Sequence, residues 1–306
     1  MTETMKAYGF TRGGGPSALQ EFDVPAPQPG PNEVVVTVQA VGLNNRERIA
    51  REQGSSRPTI PGRDAAGIVS AVGAGVTTFA VGDRVVAHVQ NSYAEQTVAR
   101  VSSTAKLPDS VDFPTAAALV TSGVTAYRIV HTFGRIQPGE VVIVKGASGG
   151  VGGLVVQLAK QAGAYVIGVA SARNRILVDD LGVDRFVAYD REKITQVLAE
   201  TGDVVVNAAM NGAGSDQDVV MAKPTGRIIS VSHSEPPLRG QITFQHTYPG
   251  DDTDAVALPL IVAGVADDTL IVDIDQVLPF TLAGFIAGHE ALDSRHAGRI
   301  VVARQA

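Results

Sequence analysis

The feature that most constrains the fold is a short apolar run, followed by a glycine-rich segment and then by an apolar helical stripe. The run at 141–144 contains only aliphatic residues, as expected for a strand buried on both faces of a parallel sheet. After the glycine-rich segment at 146–153, apolar side chains recur with helical spacing from 151 to 162. A strand joined to a helix in this way predicts a β-α-β unit and therefore an α/β fold.

The rest of the chain follows two different patterns. The first third is rich in β-formers, with short runs separated by glycine turns as in a sandwich or barrel. After an apolar helical stretch at 115–132, strands and helices alternate as far as residue 231, which predicts a doubly wound parallel sheet. We expect the polar, proline-containing stretch at 234–254 to be irregular and exposed. The early β-rich runs lie at 34–41, 67–72, 83–88 and 94–101.

The composition excludes several classes of protein. The 306 residues allow two domains of ordinary size. A formal net charge of −6 argues against a nucleic-acid binder that neutralises phosphates, and the absence of cysteine excludes disulfides, a catalytic thiol and a thiolate zinc site. No apolar stretch approaches the roughly 18 residues of a membrane span, and residues 1–10 lack the apolar core of a signal peptide. We therefore expect a soluble cytoplasmic protein that binds neither nucleic acid nor membrane.

The glycine-rich segment predicts a dinucleotide site. A helix that begins at the carboxyl end of a parallel strand presents free backbone N–H groups to a pyrophosphate. Ala147-x-Gly149-x-x-Gly152 is a variant of the dinucleotide fingerprint with alanine in place of the first glycine, and Gly150-x-Gly152 overlaps it. In this pattern Gly149 allows the backbone to approach the phosphates, and Gly152 allows the helix and strand to pack closely. The structural alternative is a flexible loop without a ligand.

The end of the next strand predicts which dinucleotide is bound. NAD-preferring sites place an acidic side chain there, about 20 residues past the glycines, to bind the ribose 2′-hydroxyl. The stretch 170–175 contains no acid but has Ser171, Arg173 and Arg175. Hydroxyl and guanidinium donors suit a 2′-phosphate dianion, which a carboxylate would repel. NADPH is therefore favoured over NADH, with the alternative that the arginines only solvate the first turn of the following helix.

Further blocks of sequence, spread along the whole chain, carry a family resemblance. Besides the glycine loop they are Val41-Gly-Leu-Asn-Asn45, Pro61-Gly-Arg-Asp-Ala-Ala-Gly67, Val81-Gly-Asp-Arg-Val85, Tyr93-Ala-Glu95, Ala116-Ala-Ala118 with Gly123-Val-Thr-Ala-Tyr127, and His296-Ala-Gly-Arg-Ile300. Together they resemble the zinc-free medium-chain dehydrogenases/reductases of the quinone oxidoreductase (zeta-crystallin-like) group. The resemblance implies a GroES-like β-rich catalytic domain at 1–123 and 258–306, with a Rossmann NADP-binding domain at 124–257 inserted between them. It also implies a homodimer.

The resemblance assigns roles to individual residues. It implies that Asn44 is the catalytic polar residue beside the nicotinamide and substrate, and that Thr125 touches the nicotinamide half of the cofactor. Ser171 and Arg175 match a pair that binds the 2′-phosphate, and Tyr189 matches an aromatic residue that closes over it. The predicted pyrophosphate loop comprises Ala147, Ser148, Gly149, Gly150, Val151 and Gly152.

Each of these side chains also has a purely structural alternative. Asn44 can be a turn residue, Thr125 can cap or pack a helix, and Tyr189 can cover the sheet. Tyr189 and Lys193 have the spacing of the short-chain dehydrogenase dyad, which we attribute to chance because they follow a strand.

The chemistry predicted from these residues uses no metal. Zinc-dependent relatives carry Gly-His-Glu where this chain has Gly-Arg-Asp at 62–64, and the six histidines show no i, i+4 pairing. Quinones and α,β-unsaturated carbonyls are already activated to accept hydride at carbon, so we expect hydride transfer from NADPH to such an acceptor. The alternatives are an enoyl thioester reductase and a non-catalytic NADPH-binding or sensor protein. Asn45 stands where many relatives have tyrosine, so the proton is expected from water or an unidentified side chain.

Two further groups of residues are weaker candidates. Arg46, Arg48 and Arg51 can form a cationic mouth that attracts an anionic acceptor, or simply a solvated helix face. His246 and Tyr248 can reach the nicotinamide edge if the segment that carries them folds towards it.

Overall fold

The computed structural model describes residues 3–248, 251–294 and 296–305, with backbone only at 251–253. Residues 1 and 2 of the stretch 1–10 and residues 249 and 250 of the predicted irregular stretch lie outside the described residues. The chain divides into two compact units, one formed by Met1–Val124 with Gly250–Ala306 and the other by Thr125–Pro249. No helix in the described part of the chain combines the length and apolarity that a bilayer crossing requires.

The strands and helices are numbered in chain order. The strands are β1 Thr4–Gly9, β2 Gln20–Pro25, β3 Glu33–Gly42, β4 Asp64–Val72, β5 Arg84–His88, β6 Gln96–Arg100, β7 Thr104–Lys106, β8 Val141–Lys145, β9 Tyr165–Ala170, β10 Arg185–Ala188, β11 Gly202–Asn207, β12 Ala222–Ser230, β13 Thr243–His246, β14 Ile274–Pro279 and β15 Arg299–Ala303. The helices are α1 Asn45–Gln53, α2 Phe113–Tyr127, α3 Gly150–Gln161, α4 Arg175–Asp180, α5 Ile194–Val197, α6 Ser215–Met221, α7 Asp251–Ala266 and α8 Leu282–Asp293.

The first unit is built on a seven-stranded sheet with the order β14-β15-β3-β4-β5-β7, and β6 also pairs with β3. Its pairings are antiparallel except for β14 with β15, which come from the end of the chain. Aromatic side chains fill the core where α8 packs on β14 and β15: the ring of Phe285 lies 4.5 Å from that of Tyr93 and 4.8 Å from that of Tyr8. The last 30 or so residues thus complete the sheet that the first third begins.

The second unit contains a six-stranded sheet with the order β10-β9-β8-β11-β12-β13. Every pairing in it is parallel. The order runs outward in both directions from β8, so the strand order reverses there, which is where doubly wound sheets bind ligands at the carboxyl ends of their strands. These two units confirm the predicted α/β fold class, a β-rich unit together with a doubly wound parallel sheet.

The stretch 234–254 is more regular than predicted. It contains β13, and helix α7 begins within it at Asp251. Strand β13 forms because Phe244 packs against the apolar cluster beneath the parallel sheet, to which the nearly buried Ile242 also belongs. This strand lies at the edge of the sheet, where its residues stay partly exposed. It therefore needs few apolar residues, and the alternation of apolar and polar residues that would predict a strand is weak in its sequence.

Candidate active site

The glycine-rich segment forms the turn between β8 and α3. Gly146 follows the strand with φ of +75°, a left-handed conformation that favours glycine. The N–H of Gly149 donates to the carbonyl oxygen of Gly146 at 3.0 Å, and Gly149 is the N-cap of α3. No side chain caps this helix end, so its first-turn N–H groups are left for a ligand or water. The turn therefore presents the positive end of a helix at the carboxyl edge of the sheet.

The glycines of this turn have different physical reasons to be glycine. A Cβ on Gly152 would lie 2.1 Å from the carbonyl oxygen of Gly146, so close packing of α3 against the strand end requires glycine there. A Cβ on Gly149 would have only that same oxygen nearby, at 3.3 Å. A Cβ on Gly149 would therefore be far less crowded than one on Gly152. These observations fit a dinucleotide pyrophosphate.

The ends of β8 and β9 are tied together by side chains. Ser148 in the glycine turn accepts a hydrogen bond of 2.8 Å from the amide of Asn174, which lies just beyond β9. Ser171, the first residue after β9, is half-buried on the same connection. Asn174 was missed in the sequence because an asparagine between arginines gives no signal of a contact made across 26 positions. Ser148, predicted to lie in the pyrophosphate loop, and Ser171, predicted to bind the 2′-phosphate, are therefore on linked loops.

Arg175 and Tyr189 lie at the carboxyl ends of neighbouring strands. Arg175 begins α4 with its side chain 64% exposed, its Nε donates to Asp179 at 3.1 Å, and its guanidinium lies 5.3 Å from the ring centre of Phe186. Tyr189 directly follows β10, is half-exposed, and its N–H donates to the carbonyl oxygen of Ala170 at the end of β9. Both side chains are accessible to a phosphate at this edge of the sheet.

A buried ion pair that the sequence did not reveal fixes the adjoining loop. Lys145, the last residue of β8, donates to Asp218 at 2.5 Å and to the carbonyl oxygen of Gly214 at 2.7 Å. Asn207, at the end of β11, donates to the other oxygen of Asp218 at 2.7 Å. Each side chain is buried, so the charges are satisfied by one another and by the loop they hold. The loops after β8 and β11 are thereby locked next to each other.

Thr125, His246 and Tyr248 are the other candidate residues of the second unit. Thr125 is half-buried in the last turns of α2. His246 ends β13 with its ring 4.2 Å from that of His233, and the ring of Tyr248 lies 5.1 Å from that of Phe133. Both belong to the outermost strand of the sheet and the residues after it.

Tyr189 and Lys193 do not form a short-chain dehydrogenase dyad. Tyr189 lies in the turn after β10, and Lys193 is the N-cap of the single-turn helix α5. The two residues therefore do not share a helix, which the dyad requires.

Asn44 belongs to a buried polar cluster in the first unit, which we call the Asp64 cluster: Asn44, Asp64, Thr121 and Arg299. The amide of Asn44 donates to Asp64 at 3.2 Å and accepts from Arg299 at 2.9 Å. Arg299 also forms a salt bridge of 3.0 Å with Asp64, and both the hydroxyl and the N–H of Thr121 donate to the second carboxylate oxygen. Asn44 has an extended backbone at the start of α1, and its side chain does not cap the helix. Its conformation is thus held by the cluster and not by a turn.

Glu47 lies beside this cluster and was missed in the sequence. It occupies the first turn of α1 and is 3% exposed, and within the described residues neither of its carboxylate oxygens has a hydrogen-bond partner. Burial raises the pKa of Glu47 to about 8, and the negative charge of Asp64 contributes to the rise. At neutral pH the side chain is therefore mostly protonated and uncharged. An acid in a polar helix gives no sequence signal of such burial.

For the arginines of α1 the sequence left two alternatives, a cationic mouth and a solvated helix face, and two of the three are paired with acids. Arg51 is 1% exposed and donates to both oxygens of Asp293 at 3.0 Å. Arg48 donates to Glu52 at 2.6 Å and to the side-chain oxygen of Asn45 at 3.1 Å. Acids of the same unit therefore neutralise both charges, and only Arg46 remains exposed without such a bond in the described structure. Nor do the described residues contain any group of three or more metal-ligating side chains that could hold an ion.

Comparison with known proteins identifies the family. Residues 30–131 match the model of the alcohol dehydrogenase GroES-like domain, and residues 150–248 match that of the zinc-binding dehydrogenases. The quinone oxidoreductase of Rattus norvegicus is 33% identical over 240 residues, which cover 74% of this chain and 73% of the rat protein. The chain belongs to the zinc-free quinone oxidoreductase group of the medium-chain dehydrogenases/reductases.

Two further similarities place this quinone oxidoreductase family member. The human synaptic vesicle membrane protein VAT-1 homolog is 32% identical over 222 residues, covering 69% of this chain but only 56% of its own length. This chain thus spans little more than half of that relative. The mycobacterial protein Rv1454c, complexed with NADPH, superposes with a TM-score of 0.86 at 26% identity, covering 98% of this chain and 99% of its own.

The raised pKa of Glu47 predicts a specific pH dependence of stability. The folded protein keeps this proton up to about pH 8, whereas the unfolded chain releases it near its ordinary value of 4.5. This group therefore costs stability progressively as the pH rises through that window. Glu47→Gln has no proton to release, so its free energy of unfolding should rise relative to that of the wild type, at most by about 1.4 kcal/mol per pH unit.

Urea unfolding of both proteins at pH 5.5, 6.5 and 7.5 measures this difference. Glu290→Gln, on the exposed face of α8, is the matched control and should show no such trend. A difference between Glu47→Gln and wild type that stays constant over this range contradicts the assignment of a protonated Glu47.

Proposed function

We propose that this protein is an NADPH-dependent oxidoreductase that reduces a quinone or another α,β-unsaturated carbonyl without a metal. The observation that carries the proposal is the open helix end at the carboxyl edge of β8, where Gly149 leaves the first-turn amides of α3 accessible. The family to which the chain belongs, and the NADPH in the related mycobacterial structure, support this reading.

The glycine turn and the residues after β9 would hold the cofactor. Backbone N–H groups of the first turn of α3, from Gly150 onward, would bind the pyrophosphate because no side chain caps them at this helix N-terminus, and Gly149 would let the phosphates approach them. Ser171 and Arg175 would bind the 2′-phosphate, with Tyr189 beside them. Ala147, Ser148, Val151 and Gly152 complete the loop, and Thr125 is proposed to contact the nicotinamide half.

NADPH is the cofactor these residues favour. The residues that follow β9 offer a hydroxyl and arginine side chains but no carboxylate, up to Asp179 in α4. Asp179 is itself bonded to Arg175 at 3.1 Å, so it orients the guanidinium and does not stand free to repel a phosphate. A dianionic 2′-phosphate would gain charge-assisted hydrogen bonds here, which a ribose hydroxyl would gain only weakly.

Asn44 is proposed to bind the acceptor oxygen. When bound, NADPH supplies a hydride, and the acceptor takes up that hydride at carbon and one proton from water. Negative charge develops on the acceptor oxygen during the transfer, and a preoriented donor stabilises it. The side-chain nitrogen of Asn44 donates to Asp64 at 3.2 Å, and its other contact, with the carbonyl oxygen of Gly42, is weak at 3.5 Å. Arg299 fixes the amide by holding its oxygen.

The enoyl thioester reductase and the non-catalytic NADPH-binding protein remain as alternatives. The homodimer, the cytoplasmic location and the assignment of catalysis to the first unit remain predictions from the sequence.

Two glycine substitutions test the proposed phosphate cradle. Gly149→Ala brings a methyl group to 3.3 Å from the Gly146 carbonyl oxygen, a tight contact that a shift of a few tenths of an ångström relieves, so its unfolding midpoint should fall much less than that of Gly152→Ala. It should bind NADPH at least about tenfold more weakly because the backbone can no longer approach the phosphates. Gly152→Ala drives a methyl group onto the Gly146 carbonyl and should lower the unfolding midpoint itself. Calorimetric titration and urea unfolding measure the two effects. Unchanged NADPH affinity in Gly149→Ala contradicts the cradle.

Removal of one cation tests the choice of cofactor. Arg175→Ala should weaken NADPH binding by about 1.5–3 kcal/mol, the range for a hydrogen bond to a charged group, and leave NADH affinity little changed. The matched control is Arg185→Ala, because Arg185 begins β10 and lies at the opposite, amino-terminal edge of the sheet. Calorimetric titration of both variants with NADPH and with NADH gives the four dissociation constants. Equal losses for NADPH and NADH in Arg175→Ala would remove the 2′-phosphate assignment.

A panel of acceptors separates the proposed activity from its alternatives. With EDTA present, the wild-type protein should oxidise NADPH with 9,10-phenanthrenequinone or with methyl trans-4-oxo-2-pentenoate faster than with crotonyl-CoA, as followed at 340 nm. A clear preference for the thioester favours the enoyl reductase. Tight NADPH binding with no turnover of any acceptor favours the non-catalytic protein.

A further inference from the structure

Two arginines of the first unit flank the contact between Asn44 and Asp64. Arg46 lies in the first turn of α1, two positions after Asn44, and Arg63 immediately precedes Asp64 at the start of β4. The 3.2 Å hydrogen bond between Asn44 and Asp64 joins these two segments, so the arginines stand on adjoining stretches of the chain. We call Arg46 and Arg63 the arginine pair.

The arginine pair lacks the partners that the neighbouring arginines have. Within the described residues no hydrogen bond or salt bridge satisfies either guanidinium, whereas Arg51 and Arg299 each bind a carboxylate at 3.0 Å. Arg63 is half-buried, and a partly buried charge without a partner is costly. Arg46 stands at a helix N-terminus, where a cation is unfavourable. Both residues therefore lower the stability of the folded protein, which points to a role in binding.

The electrostatics of the pair agree with this geometry. Burial lowers the pKa of Arg63, and the positive charge of Arg46 lowers it further, which agrees with the closeness of their two segments. Glu47, Asp64 and Asp254 act in the opposite direction but do not cancel the effect.

The acids around the pair are already engaged or neutral. Asp64 is saturated by Arg299, Asn44 and Thr121. Asp254 forms an ion pair of 2.8 Å with His88. Glu47 is mostly protonated at neutral pH because its pKa is raised to about 8. The positive charge of the arginine pair is thus left for a ligand.

We infer that the arginine pair binds a carboxylate of the acceptor, so that the preferred substrates are small α,β-unsaturated carbonyl compounds that carry an acid group near the reacting double bond. A carboxylate has two oxygens, which can accept hydrogen bonds from the guanidinium of Arg46 on α1 and from that of Arg63 before β4. The inference rests on the proposed function, in which Asn44 binds the acceptor oxygen beside the pair.

A matched acid and ester test the inference through activity. Trans-4-oxo-2-pentenoate and its methyl ester differ by the negative charge and one methyl group. The change in the ratio of their kcat/KM values from wild type to variant cancels their intrinsic difference in reactivity and any effect on NADPH. Arg46→Gln and Arg63→Gln should each lower that ratio about tenfold, mainly through KM for the acid, since hydrogen bonds to a charged group are partly screened at an open site. Arg63→Lys should restore part of the loss.

The control variant removes the same charge far from the pair. Arg100→Gln lies at the end of β6, which pairs with the first residue of β3, whereas Asn44 follows the last residue of that strand. Its ratio should equal that of the wild type. Ratios that stay at the wild-type value in both Arg46→Gln and Arg63→Gln overturn the inference. If Arg63→Gln does not fold because Arg63 is half-buried, an unchanged ratio in Arg46→Gln alone overturns it.

Calorimetry provides a readout that does not depend on turnover. Levulinate is the saturated product of the acid substrate. It should bind the wild-type protein and Arg100→Gln with equal affinity, and Arg46→Gln and Arg63→Gln about tenfold more weakly. The wild-type protein should bind levulinate more tightly than methyl levulinate. NADPH affinity should be the same in all of these proteins. A loss of NADPH affinity in the arginine variants would assign the pair to a cofactor phosphate and overturn the inference. Because levulinate binding needs no reduction, a protein that binds it through the pair but turns over no acceptor would contradict the proposed function alone.

Discussion

Close contact between the first turn of α3 and the end of β8 is the constraint on which the cofactor site depends. The helix can begin directly at the carboxyl edge of the sheet only because Gly152 has no side chain to strike the Gly146 carbonyl. That packing leaves the uncapped amides of the helix facing outward at the point where the strand order reverses. The buried pair of Lys145 with Asp218 then holds the loop after β11 beside the turn. The proposed anion site therefore rests on backbone geometry, and the side chains after β9 are proposed to select the anion.

In the first unit, charge balance organises the residues around Asn44. Arg299, from the last strand of the chain, neutralises Asp64 and orients the Asn44 amide in the same contact. Such a fully bonded carboxylate cannot serve as a metal ligand or a proton donor without breaking the cluster. Glu47 avoids a second buried negative charge by keeping its proton. The positive charge of the arginine pair is then not offset by Glu47, and the inferred carboxylate site depends on this.

Much of the fold could be predicted from the sequence because it rests on local patterns. The aliphatic run of β8, the glycines and the helical stripe of α3 are contiguous, so their structure follows from spacing alone. Strand β13 was missed since its contacts come from Ile242 and Phe244 packing against distant strands. The burial within α1 could not be predicted either. Its arginines were compatible with a cationic mouth or a solvated face, whereas Arg51 and Glu47 are buried and Arg51 binds Asp293 of α8. Side chains whose partners lie far away in the sequence, such as Asn174, Arg299 and Asp293, could not be predicted from pattern.

Transfer of an isotopic label tests the central claim most directly. The protein is incubated, in the presence of EDTA, with methyl trans-4-oxo-2-pentenoate and with NADPH deuterated at one or the other of the two C4 positions. The account predicts that deuterium from one of these positions, and not from the other, appears on carbon in the reduced product, as seen by mass spectrometry. Reduced product that carries no deuterium from either position, or transfer that stops when metal is chelated, would contradict it.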